Sequence, residues 1–101
     1  MKQKRFKARI RKEEILKAAL ALASRKNYQQ VTRDEIAARV RLSGPAIQYH
    51  FGTMLQLRQD IMRYAIMHHN YPVIAQGIAS GDAQALKAPE GVRRRAVGSL
   101  I

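Results

Sequence analysis

Ser43, Gln48, Tyr49 and His50 lie within one short stretch, and their side chains are the ones whose chemistry must be decided first. A hydroxyl, an amide, a phenol and an imidazole can serve catalysis or recognition. Catalysis needs partners: a base beside the serine, paired carboxylates, or a glycine-rich phosphate loop. None is present. The seven acids are scattered and mostly sit at helix starts, and Ser43 is already accounted for as a helix cap. The chain has no cysteine, which removes disulfides, thiolate metal sites and cysteine nucleophiles together. His68 and His69 are neighbours on one helix, so their side chains diverge and do not chelate an ion. Neither an enzyme, nor a metal site, nor a cofactor site is expected. What remains is hydrogen bonding to a partner.

Charge points to the class of that partner. Nineteen Lys and Arg against seven Asp and Glu give a formal charge of +12. A foldable chain this basic ordinarily meets a polyanion, and nucleic acid is the commonest. Seven of the nineteen cations fall in residues 2–12 (KQKRFKARIRK) with no acid among them. That block reads as a mobile basic arm over 1–9, becoming helical toward its end, with Lys4, Arg5 and Lys7 as contacts in an adjacent minor groove. Arg93, Arg94 and Arg95 read instead as a solvated helix face. Single-strand binders need a supply of stacking aromatics; two phenylalanines and four tyrosines are too few.

Elements must position these groups, and the pattern is all-α. A helix is expected from about Arg9 to Lys26, with Ile15, Ala18, Ala19, Leu22 and Ala23 on one face. Thr32 opens T-R-D-E, a capping box that starts a short helix to Val40 burying Ile36, Ala37 and Val40. After the Arg41-Leu42 corner, Ser43 caps a third helix with Pro45 in its first turn, ending near Phe51-Gly52. Thr53 opens T-M-L-Q, a second capping box, and a fourth helix runs to roughly His69. Pro72, Gly77, Gly81, Pro89 and Gly91 punctuate the remainder of the chain, leaving two short helices near 72–80 and 90–100 and a turn near 83–87. Three units are expected: the arm over 1–9, a helix-turn-helix domain over 10–69, and a short helical tail over 70–101.

Helix, tight turn, helix between Thr32 and Phe51 is a helix-turn-helix, whose second helix enters the DNA major groove. With Ile47 placed inward, Phe51 falls close to it and Pro45 and Tyr49 point nearly opposite. Gly44, Ala46, Gln48 and His50 lie on the flanks. Small residues let the helix end approach base edges, Gln48 can donate and accept toward an adenine edge, and Ala46 can touch a thymine methyl. Tyr49 and His50 suit phosphate oxygens.

The stretch V-T-R-D-E-I-A-A-R-V-R-L-S-G-P-A-I-Q-Y-H-F-G-T-M-L-Q-L resembles the N-terminal DNA-binding region of TetR-type repressors, and the likeness extends over residues 10 to 67. The resemblance implies a three-to-four-helix domain in which Arg33, Ser43, Gly44, Pro45, Ala46, Gln48, Tyr49 and His50 face DNA. It also implies that Thr53 and Met54 offer backbone N–H groups to a phosphate at the start of helix four. Arg41 stands where the family usually has glycine, so either it accepts a left-handed conformation or the turn differs; it joins the DNA-facing set. The family's tyrosine is replaced by Gln48, its ring moving to Tyr49, and its lysine by Met54. The H-F-G-T-M run and the A-P-E tail are similar to compact regulators of prophages and plasmids, which lack the family's large ligand-binding domain.

The expected function is therefore a bacterial or phage transcription regulator, a repressor binding double-stranded operator DNA as a homodimer. It is expected at the nucleoid in the cytoplasm, without a membrane segment and without a small-molecule inducer. Dimer contacts are expected from helix four and the tail, where Tyr64, Ile66, Tyr71, Val73, Ile74 and Ile78 offer apolar surface; the equal alternative is that this segment folds back as a fifth helix completing a monomeric core. A competing expectation is an interaction protein of a phage or plasmid that binds an acidic host protein. Specific protection of DNA discriminates between the two.

Overall fold

A computed structural model describes residues 2–100, with side chains from residue 7 onward. Among these residues the chain is helical throughout, in seven α-helices and one 3-10 turn. The first helix, α1 (Lys2–Ala23), is longer than its sequence suggests. The arm expected over 1–9 is, from Lys2, part of this helix. No glycine or proline interrupts Lys2 to Ala23, and long unbranched cations are good helix formers, so a charge run that reads as an arm can propagate as a helix. Arg11 and Glu14 pair one turn apart at 3.5 Å. At the other end α1 stops short of the expected Lys26, unwinding through Ser24–Lys26 into a 3-10 turn at Tyr28–Gln30. Asn27 starts that turn by accepting the Gln29 N–H at 2.9 Å.

The next three helices begin where their caps dictate. Thr32 and Glu35 form the full capping box at the head of α2 (Arg33–Val40). Ser43 Oγ accepts the Ala46 N–H at 3.2 Å to open α3 (Gly44–Phe51). Thr53 and Gln56 form a second complete box at the head of α4 (Met54–Met67). Between α3 and α4 stands Gly52 at φ 78°, ψ −133°, and a Cβ there would collide with the Gln56 amide that completes the box. The α2–α3 corner uses Arg41 at φ 59°, ψ 44°. A left-handed backbone at a non-glycine residue costs roughly 1–2 kcal/mol, which the surrounding helices must outweigh.

The tail continues the same core. Helices α5 (Tyr71–Ser80), α6 (Ala83–Leu86) and α7 (Glu90–Gly98) follow, with α5 against α4 and α7 against α5. One cluster of buried side chains runs from Ile15 and Ala19 of α1 through Ile36, Ile47, Leu57 and Ile61 to Val73, Ile74, Ala85 and Ala96. Burying a side chain such as Ile74 contributes about 1.5–3 kcal/mol. Of the two readings of this segment, the structure matches the one that folds back onto the core and not the dimer surface: Tyr64, Val73 and Ile74 are interior, and Ile66, Tyr71 and Ile78 are half-buried against the core. Their apolar area is spent on closing the fold. Among the described residues beyond α4, the large apolar side chains left exposed are Leu86, Val97 and Leu100.

Candidate DNA-binding surface

The α2–α3 corner is set by a handful of backbone contacts. Arg41 and Leu42 both donate to the Ala37 carbonyl, Leu42 at 2.9 Å, which closes α2 and turns the chain toward Ser43. Ile47 is fully buried and Phe51 nearly so, fixing which side of α3 faces inward. The opposite side is free: Pro45 is exposed, and Tyr49 is 86% exposed, the most open of the large apolar side chains among the described residues. Gln48 and Ser43 are exposed, while Gly44, Ala46 and His50 sit half-buried on the flanks. No part of α5–α7 lines the grooves that contain Gly44, Pro45, Gln48 or His50.

Two clefts border the exposed face of α3. The first lies between the heads of α2, α3 and α4, where Thr32, Arg33, Gly44, Gln48, Met54 and Arg58 meet. Here Arg33 Nη1 donates to Gln48 Oε1 at 2.8 Å, tying the first motif helix to the second. The second cleft runs between α1 and α3 and is lined by Lys7, Ile10, Arg11 and His50. Burial pushes the His50 imidazole below its ordinary value of 6.5, and the nearby charges of Lys12 and Arg11 push it further down. His50 and the cations of α1 therefore share one neighbourhood. Tyr49 and His50 meet edge to face, with ring centroids 5.4 Å apart.

The expected contact residues are placed unequally. Arg33, Ser43, Gly44, Pro45, Ala46, Gln48 and Tyr49 gather on or beside one face, and Arg41 is exposed at the corner that adjoins it. Lys7 is exposed on α1, whereas the side chains of Lys4 and Arg5 lie outside the described residues. One expected donor is engaged within the chain. The Thr53 N–H expected to meet a phosphate already donates to Gln56 Oε1 at 2.8 Å. In this capping box the free first-turn donors belong to Met54 and Leu55. Met54 keeps its backbone role on offer while its side chain packs against the core.

Sequence reasoning missed Arg58, which joins the first cleft with its Nε shielded from solvent and without a hydrogen-bond partner. Its spacing four residues after Met54 places both on one side of α4 and is the available signal. Gln29 and Gln30, from the unforeseen 3-10 turn, line the same cleft.

Comparison with known families supports the assignment. Residues 15–61 match the family described as "Bacterial regulatory proteins, tetR family". The protein carries a TetR-type N-terminal DNA-binding domain. The match starts at the first core residue of α1, spans the whole of α2 and α3, and ends within α4. No curated protein and no solved structure matches the chain. A TetR-type domain supports DNA as the partner, and the matched family is one of regulators, not enzymes. No described helix is long and apolar enough to cross a membrane.

Proposed function

We propose that the protein is a sequence-specific repressor that binds a palindromic operator as a homodimer and blocks access to the promoter beneath it. The observation that carries this reading is the open face of α3: Pro45, Gln48 and Tyr49 point outward while Ile47 and Phe51 anchor the helix from behind. Such a helix can lie in a major groove with Gly44 and Ala46 close to the bases, Gln48 reading a base edge, and Tyr49 and His50 on phosphates. Ser43, Arg41 and the first turn of α4 around Thr53 and Met54 flank the backbone. Arg33 braces the near strand, and the cations of α1, with Lys4, Arg5 and Lys7 among them, follow the phosphates alongside. Because α1 is helical from Lys2, these cations would lie along the backbone as a helix instead of threading a groove as a flexible arm.

Two half-sites about 34–36 Å apart would each receive one α3. Leu86, Val97 and Leu100, exposed at the α6–α7 end, offer the apolar surface for the partner protomer.

The test is a binding titration on selected and scrambled duplexes at two salt concentrations. The account expects tighter binding to the selected duplex and a steep fall in affinity with salt on both, since neutralised phosphates release counterions. Equal affinity for the two duplexes would remove sequence-specific recognition. Affinity independent of salt would remove the phosphate contacts.

A further inference from the structure

Gln48 is not a free amide. Its Oε1 accepts from Arg33 Nη1 at 2.8 Å across fifteen residues of sequence, from the first residue of α2 to the outer flank of α3. Arginine has five N–H donors and no acceptor, so the amide oxygen, not the nitrogen, must face the guanidinium. The orientation of the amide is thereby fixed by chemistry. The NH2 group is turned away from Arg33, and Gln48 itself is exposed.

This matters for what the side chain can read. A glutamine recognises adenine by using both of its atoms, accepting from N6–H and donating to N7. Guanine offers two acceptors, N7 and O6, and no donor on that edge. The bond from Arg33 takes one of the two lone pairs of Oε1 and sets a cation beside the other, which disfavours the approach of adenine's N6–H donor, while the amide NH2 stays available to guanine's acceptors. The remaining donors of Arg33 add to the same one-sided character.

We infer that Arg33 is a positioning residue that biases Gln48 toward donating, so that this pair selects guanine at the base it contacts. This rests on the DNA-binding reading above and deepens it by naming the base. It replaces the adenine preference that a free glutamine would bring.

The experiment is selection of bound duplexes from a randomised pool by the intact chain and by Gln48→Ala, Arg33→Ala and Arg33→Lys variants, each first checked for an unchanged helical spectrum. The position read by Gln48 is the one whose preference vanishes in Gln48→Ala. There the unaltered protein is expected to prefer guanine over adenine roughly tenfold. Arg33→Lys, which also can only donate, keeps that preference. Arg33→Ala frees the amide and moves the preference to adenine, a change of base that loss of a merely structural contact would not produce. Placing 7-deazaguanine at that position lowers affinity for the unaltered protein and leaves Gln48→Ala unaffected. Adenine preferred by the unaltered protein, no position dependent on Gln48, or guanine retained in full by Arg33→Ala would each overturn the inference while leaving the regulator reading intact. No enriched sequence at all would overturn both.

Discussion

The phenol of Tyr28 donates a hydrogen bond of 2.9 Å to Asp82 Oδ2, joining residues 54 apart in sequence. The other oxygen of Asp82 caps α6, accepting from Gln84 and Ala85. One residue thus closes the tail and holds the corner beneath the TetR-type domain. Gln76 of α5 reinforces the junction, accepting the Tyr28 N–H and donating to the Ala23 carbonyl, both at 2.9 Å. Burial pushes the Tyr28 phenol above its ordinary value, so it stays a donor throughout the neutral range. Tyr28→Phe is expected to cost about 1–2 kcal/mol, because Asp82 loses its partner at a half-buried place. Denaturant unfolding measures it; a variant as stable as the parent would contradict this junction.

Gly77 sits where α4, α5 and α6 come closest. A Cβ there would stand 2.5 Å from Met62 Cε and 2.7 Å from Ala85 Cβ, and Ala85 is fully buried with nowhere to move. Gly77→Ala should therefore destabilise by about 1–3 kcal/mol, although alanine is the better helix former. Gly91 is the control: nothing lies within 4 Å of the place an alanine methyl would take, so Gly91→Ala should stabilise by roughly 0.5–1 kcal/mol. Thermal melts of the two variants should move in opposite directions. A shared direction would mean that close packing of α4, α5 and α6 does not decide the result.

Acid should undo two local devices. Hydrogen bonding from Lys26 holds the Glu35 carboxyl below its ordinary 4.5, with further help from the Thr32 N–H it accepts. A depressed folded value means that this stabilisation is complete above 4.5 and is lost as pH falls through the depressed value. Lys26→Met should therefore lower the melting temperature near neutrality and converge with the parent in acid. For His50 the sign is the same: its value lies below 6.5, so the neutral imidazole's contribution is full above 6.5 and fades on further acidification. His50→Gln should flatten the fall in stability on that side. A melting-temperature difference independent of pH would exclude either group as the cause.

Arg41 carries a charge at the corner of the motif in a conformation that favours glycine. Arg41→Gly relieves the left-handed strain but adds flexibility to the unfolded chain, so stability should change by less than about 1 kcal/mol. Binding should change more clearly. Losing one phosphate contact should lower affinity for all duplexes alike and reduce the salt slope by about 0.9. An unchanged slope would take Arg41 out of the interface.

The heads of α2, α3 and α4 are legible in the sequence because their causes are local. Thr32 with Glu35, Ser43, and Thr53 with Gln56 each act within three residues. The inward placing of Ile47 and Phe51 follows from helical periodicity alone, and the tail helices follow from their prolines and glycines. Other features need tertiary geometry. The Tyr28 junction, the burial of Val73 and Ile74, and the Arg33–Gln48 bond all join segments far apart in the chain. The basic block departs from its expected form for a subtler reason: its charges suggest disorder, while the absence of any helix breaker permits α1 to continue back to Lys2. The Thr53 N–H suits a phosphate by analogy with the family, yet the same capping box that places the helix also consumes that donor.

The open side of α3 is the surface on which the DNA-binding account stands. Amide chemical shifts of the intact chain, followed while a selected duplex is titrated in, test it most directly. The account predicts the largest changes at Arg33, from Ser43 to His50, and in the first turn of α4, with Ile74 and its neighbours on α5 little affected. Changes confined to α5, α6 and α7, with Gln48 and Tyr49 unmoved at saturation, would contradict it.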